Sequence, residues 1–148
     1  MLSHYFQKAD WHISCNKLSV RWLKMIDTEK KGILIIDPNI PEKTVMASFL
    51  ESENFHVETG RGLADAVKKI SEGCFSCIIM DVELPEMKGY EAVSILKSID
   101  PKIKIIMTAK RNTKNLEAKV REQDIFFYFI KSFDKEELKL AVTNAFSK

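Results

Sequence analysis

Five short apolar segments, each followed by a stretch of helical periodicity, predict a parallel α/β sheet with helices on both faces. Three observations lead there. The runs Ile33-Leu34-Ile35-Ile36 and Cys77-Ile78-Ile79-Met80 are apolar without interruption, as strands covered on both sides are. Strand and helix patterns alternate along the chain, which dictates right-handed crossovers and strands that all run the same way. Four of the strands end in a polar residue, namely Asp37, Asp81, Thr108 and Lys131. These four should converge on one edge of the sheet, where ligand chemistry collects in open α/β folds.

Residues 1–31 differ from the rest. Trp11, Cys15, Leu18, Trp22 and Met25 follow a 4-3-4-3 spacing that predicts an amphipathic helix, with Asp10 as its cap. Two heptads do not hold as a lone helix in water, so this extension needs a surface to pack on, its own domain or a partner. Residues 32–148 form the regular domain. After the first strand, Val45, Met46, Phe49 and Leu50 mark a helix starting near Pro41, a residue tolerated in a first turn. The segment Phe55 to Thr59 alternates like a strand and is broken by Gly60 and Gly62. Leu63, Ala66, Val67 and Ile70 give a helix that stops at Gly73.

The strand Cys77 to Met80 delivers Asp81 to the sheet edge, and Pro85 and Gly89 turn the chain over that carboxylate. A helix carrying Tyr90, Val93, Ile95 and Leu96 follows and stops at Asp100-Pro101. Ile103 to Met107 is the fourth strand. Asn112 to Glu122 is a polar helix with only Leu116, Ala118 and Val120 to bury, so it should be loosely held. The aromatic segment Ile125 to Ile130 is the fifth strand. Leu138, Ala141, Val142, Ala145 and Phe146 stripe a last helix capped by Asp134.

The chain has 148 residues and a net charge of +2, which imposes no polyanionic partner. Residues 1–31 hold six Lys/Arg against three Asp/Glu, but Lys17, Arg21, Lys24, Lys30 and Lys31 are scattered as on a solvated helix face, so no nucleic acid is expected. An odd count of three cysteines, no apolar run of membrane-spanning length and no signal-peptide layout point to a reducing cytoplasm. Cys74 and Cys77 form a C-x-x-C pair without a second pair to complete a zinc site, and both are read as core cysteines.

Two carboxylates, a hydroxyl and a lysine at four strand ends make a chemical set. Carboxylates hold a hard cation such as Mg²⁺, and one beside that cation can attack phosphorus while lysine and hydroxyl balance the charge on the phosphoryl oxygens. The series I-L-I-I-D, C-I-I-M-D-V-E-L-P-E-M-K-G, I-I-M-T-A and Y-F-I-K resembles the receiver (phosphoacceptor) domain of bacterial two-component response regulators. The likeness spans residues 32–147 and implies a flavodoxin-like doubly wound sheet of order 2-1-3-4-5. It implies that Asp81 is the phosphorylated aspartate, that Asp37, Asp81 and the backbone carbonyl of Glu83 hold Mg²⁺, and that Thr108 and Tyr128 switch as Lys131 pairs with the phosphoryl group. Such domains are signalling modules rather than enzymes, promoting only their own phosphotransfer and dephosphorylation. The implied partners are a histidine kinase or phosphotransfer protein and a downstream protein, with a homodimer formed through the N-terminal helix or the 112–147 face.

Three positions depart from the pattern. Pro38 stands where the family has a second acid, so weak Mg²⁺ binding is expected unless Glu83 or Asn39 supplies an oxygen. Ser132 replaces the proline after the lysine, which predicts a trans bond and a shifted loop. Lys88 before Gly89 reads as an ordinary surface turn residue. Two functions therefore stand side by side: a stand-alone phosphorylation switch, and a degenerate receiver that binds partners without phosphorylation. A flavodoxin-like cofactor enzyme is a third, disfavoured by the lack of a phosphate-cradling loop after the first strand.

Overall fold

The computed structural model describes residues 32–131 and 134–147. The stripe expected from Trp11 to Met25 and the departure at Ser132 lie outside the described residues. Strands β1 (Gly32–Ile36), β2 (His56–Gly60), β3 (Phe75–Asp81), β4 (Lys104–Ala109) and β5 (Phe127–Ile130) form one sheet of order β2-β1-β3-β4-β5. All four pairings are parallel. Helices α1 (Ile40–Ser52), α2 (Leu63–Glu72), α3 (Gly89–Ile99) and α4 (Lys114–Arg121) make the crossovers, and α5 (Lys135–Ser147) follows β5. The flavodoxin-like doubly wound fold is thus the observed one.

Alternation along the strands splits the core into two layers. Leu34, Ile36, Ile78, Met80, Ile105 and Met107 face α2, α3 and α4, where Ala66, Ile70, Val93, Leu96 and Val120 meet them. Ile33, Ile35, Cys77, Ile79, Ile106 and Phe129 face α1 and α5, against Met46, Leu50, Leu138 and Val142. Both faces being covered explains why β1 and β3 carry no polar alternation. Cys77 is a free buried thiol whose pKa burial pushes up to about 12. The core reading holds there, while Cys74 packs against the core only partly buried, at φ 78°.

Two helical stripes run differently from the sequence reading. Val45 is 55 % exposed and Ile95 37 % exposed, while Ala92, unmarked in the sequence, is fully buried. Neighbouring apolar residues span more than the buried arc of a helix, and packing selects which of them turn inward. The boundaries of β2 and β5 move by one or two residues, and α4 buries only Val120. No helix among the described residues is long and apolar enough to cross a membrane.

The turn after β3 is built on a close approach of main chains. The Gly89 N–H donates to the Val82 carbonyl at 2.7 Å, and a Cβ on Gly89 would run into the backbone carbonyl of Asp81. Backbone cannot yield as a flexible side chain can. Gly89→Ala should therefore cost about 2 kcal/mol or more, read as a lowered urea midpoint at unchanged slope.

Candidate functional site

Parallel register sets the site. Asp81 ends β3 opposite Thr108 of β4, Asp37 follows β1 directly, and Lys131 follows β5 with its N–H on the Ala109 carbonyl at 2.9 Å. All four strand-end residues arrive at one edge. Lys131 Nζ lies 2.7 Å from Asp37 Oδ2 and 2.7 Å from Asp81 Oδ1. Asp37 and Thr108 are buried, Asp81 is 6 % exposed, and the Lys131 side chain is 7 % exposed.

Main-chain donors fix the remaining carboxylate oxygens. Asp81 Oδ2 accepts from the Glu83 N–H at 2.8 Å, and Asp37 Oδ1 from the Asn39 N–H at 2.8 Å. Thr108 Oγ1 stands 3.5 Å from Asp81 Oδ1, the outer limit of a hydrogen bond. Burial raises the Asp81 pKa above the ordinary carboxylate value, while Lys131 and the Glu83 N–H pull against it. For Lys131 burial favours the neutral amine, but its bonds to Asp37, Asp81 and Glu42 outweigh that and raise its pKa. The ammonium is therefore charged throughout the physiological range.

Three predicted contributors are directed elsewhere. The Glu83 side chain is 65 % exposed and both its oxygens lie 2.7 Å from Lys88 Nζ, so the expected compensating carboxylate is paired with that lysine. Lys88 is thus a specific ion partner and not an ordinary turn residue. The Asn39 side-chain oxygen caps α1 by accepting from the Glu42 N–H at 3.0 Å. Tyr128 is directed outward, its hydroxyl donating to Asn112 Oδ1 at 2.8 Å.

The sequence reading missed Glu42, whose Oε1 lies 3.0 Å from Lys131 Nζ. An acid in the first turn of a helix looks like dipole compensation, and nothing in the sequence alone separates the two roles. It also missed Glu86. That carboxylate accepts from the N–H groups of Leu63 and Ala64 at 2.9 and 3.1 Å, tying the loop after β3 to the start of α2. These two bonds hold its pKa below the usual value.

A cleft of about 450 Å³ opens over the acids, lined also by Asn39, Val82, Lys110 and Arg111. Among the described residues, no three His, Cys, Asp or Glu side chains converge tightly enough to cage a metal. Mg²⁺ takes one or two carboxylates and keeps several waters, so it does not require such a group. Asp37 and Asp81 with the Glu83 carbonyl are oxygen donors of that kind, so the residues fit the ion.

A doubly wound sheet with buried acids after β1 and β3, a hydroxyl on β4 and a lysine after β5 defines a class of signalling domain. Residues 33–143 match the family model of the response regulator receiver domain, and the chain belongs to that family. It is 29 % identical over 113 residues to the DNA-binding transcriptional regulator NtrC of Azospirillum brasilense, covering 76 % of this chain and 24 % of that protein. Over 117 residues it is 23 % identical to the transcriptional regulatory protein ZraR of Klebsiella oxytoca, covering 79 % and 26 %. The chain thus spans about a quarter of the length of these relatives. A solved structure, the beryllofluoride-activated NtrC4 receiver domain dimer, superposes with TM-score 0.73 at 25 % identity, covering 78 % of this chain and 96 % of that one.

Replacing Lys131 by Met would leave Asp37 and Asp81 buried without their ammonium, at a cost of about 3 kcal/mol at pH 7. The folded pKa of Asp81, already raised by burial, would then rise further, so the folded state would bind more protons than the unfolded one above about pH 4. Stability of the variant should fall as pH rises through that range. The gap to the unaltered protein, read by urea unfolding, is expected to be widest near pH 7 and to close toward pH 4.

Proposed function

We propose that the chain is a phosphorylation-dependent, cytoplasmic receiver switch in which Asp81 accepts the phosphoryl group of a histidine kinase or phosphotransfer protein. The observation that supports this best is the Asp81 carboxylate, buried, charged against Lys131 at 2.7 Å and aimed by the Glu83 N–H at 2.8 Å. An Asp81 oxygen attacks phosphorus, the donor's phosphorus–nitrogen bond breaks, and the electron pair leaves on the imidazole, which takes up a proton. Lys131 and the Thr108 hydroxyl neutralise the phosphoryl oxygens as charge builds on them. Asp37, Asp81 and the Glu83 carbonyl would hold Mg²⁺, which would supply further positive charge there.

Phosphorylation would draw Thr108 toward the new oxygens and vacate space on β4 for Tyr128, which would exchange its Asn112 partner for an inward position. The surface of α4, β5 and α5 would change with it. The signal would pass to a downstream protein or to a second copy, as the dimeric NtrC4 receiver suggests. The degenerate, phosphorylation-independent receiver has the departures at Pro38 and Ser132 as its support, and against it Asp81, Thr108 and Lys131 stand together.

The test is intact-mass spectrometry after incubation with acetyl phosphate and Mg²⁺. One phosphoryl group is expected on the protein and none on Asp81→Asn. A protein that gains no phosphoryl group at high Mg²⁺, from acetyl phosphate or from a phosphorylated phosphotransfer domain, would replace the switch by the binding module.

A further inference from the structure

We propose that Glu86 is a positioning residue for phosphoryl transfer: by fastening the loop between β3 and α3 to the start of α2, it holds the Glu83 N–H on the attacking Asp81 carboxylate. This rests on the receiver reading and concerns how the acceptor oxygen is aimed. The Glu86 carboxylate accepts from the Leu63 and Ala64 N–H groups at 2.9 and 3.1 Å, across 23 and 22 residues of sequence. In the same loop the Glu83 N–H donates to Asp81 Oδ2 at 2.8 Å.

The loop can transmit a displacement because it is braced within itself. The Gly89 N–H donates to the Val82 carbonyl at 2.7 Å and the Leu84 N–H to the Met87 carbonyl at 3.1 Å. Glu83 and Lys88 form an antiparallel bridge, and their side chains pair at 2.7 Å. These contacts join loop residues to one another, so they shape the loop without seating it on the domain. Seating comes from Val82, buried and donating to the Thr108 carbonyl at 2.8 Å, from buried Leu84, and at the outer turn from Glu86. In that turn Met87 packs half-buried against the core, while Pro85, Glu86 and Lys88 are exposed. A shift of the turn is therefore carried by the Glu83–Lys88 bridge to the N–H that aims Asp81.

Gly62 separates this role from ordinary helix capping. It is the N-cap of α2, in an extended conformation at φ −155° that serine or aspartate adopts equally well, and it offers no side-chain acceptor. A Cβ there would run into Glu86 Oε1. The helix is thus capped from a distant loop at a position where a local cap was open to it, and the glycine leaves room for that contact.

The experiment compares the full chain with Glu86→Ala and with the double variant Glu86→Ala, Gly62→Ser. Amide hydrogen exchange is read by NMR, and phosphoryl gain from acetyl phosphate with Mg²⁺ by intact mass. Glu86→Ala is expected to speed exchange at Leu63, Ala64 and Glu83 about fivefold, the scale of a carboxylate lost from a surface helix N-terminus. Phosphoryl gain should slow by a similar factor. The hydroxyl introduced at position 62 caps α2 locally, so in the double variant the first turn of the helix regains protection while Glu83 exchange and phosphoryl gain do not recover. Glu83 exchange unchanged by Glu86→Ala, or restored together with the helix in the double variant, would overturn the proposal and leave Glu86 as a helix cap. So would an unchanged rate of phosphoryl gain. Those results leave the receiver reading intact; it falls instead, and this proposal with it, if the unaltered protein gains no phosphoryl group.

Discussion

A single buried ammonium separates the acids of this protein. Asp37 and Asp81 lie within hydrogen-bond distance of the same Lys131 nitrogen, and Glu42 meets it from a third side. Without that nitrogen the two buried aspartates would face each other in a medium that screens poorly, and ionising both would cost far more than it does in water. Every nearby feature answers this constraint. Backbone N–H groups occupy the oxygens the lysine does not reach, and the cap of α1 holds Glu42 where its charge meets the ammonium. A site held together by charge is one whose balance a dianionic phosphoryl group would upset.

The sheet makes the cluster possible by delivering residues far apart in sequence to one edge. Order β2-β1-β3-β4-β5 sets the Asp37 and Asp81 strands side by side, whereas Lys131 comes from the far side of β4. Its side chain must cross the end of β4, which is where Thr108 lies. Lysine has the length for this, and its stem can lie over apolar groups while the ammonium stays polar-bound. The β4 position therefore sits between acceptor and lysine and is obliged to be small. Threonine satisfies the space and adds a hydroxyl.

What the sequence disclosed follows from which constraints are local. Apolar runs ending in Asp37 and Asp81 were legible because a strand buried on both faces admits no polar residue before its end. Strand order came only with the family resemblance, since periodicity says nothing about neighbours. Glu42 and Glu86 were illegible because a surface acid is ordinary and their meaning lies in contacts 89 and 23 residues away. Val45 and Ile95 went astray for the opposite reason: they fit the local pattern and packing chose other residues. At Glu83, sequence position fixes the backbone and leaves the rotamer to Lys88.

On the proposed reading, the route from site to surface runs through a thinly packed part of the domain. Helix α4 buries only Val120, and the Tyr128 hydroxyl reaches Asn112, just before it, through one hydrogen bond on an exposed surface. Such a bond contributes on the order of 1 kcal/mol, so outward and inward positions of the ring can differ by little. A modification need only favour one of them by a few kcal/mol to reverse the populations. Strands β1 and β3, buried but for Ser76, offer no comparable freedom. On the proposed reading, the rigid half of the fold aims Asp81 and the thinly packed half converts its chemistry into a changed surface.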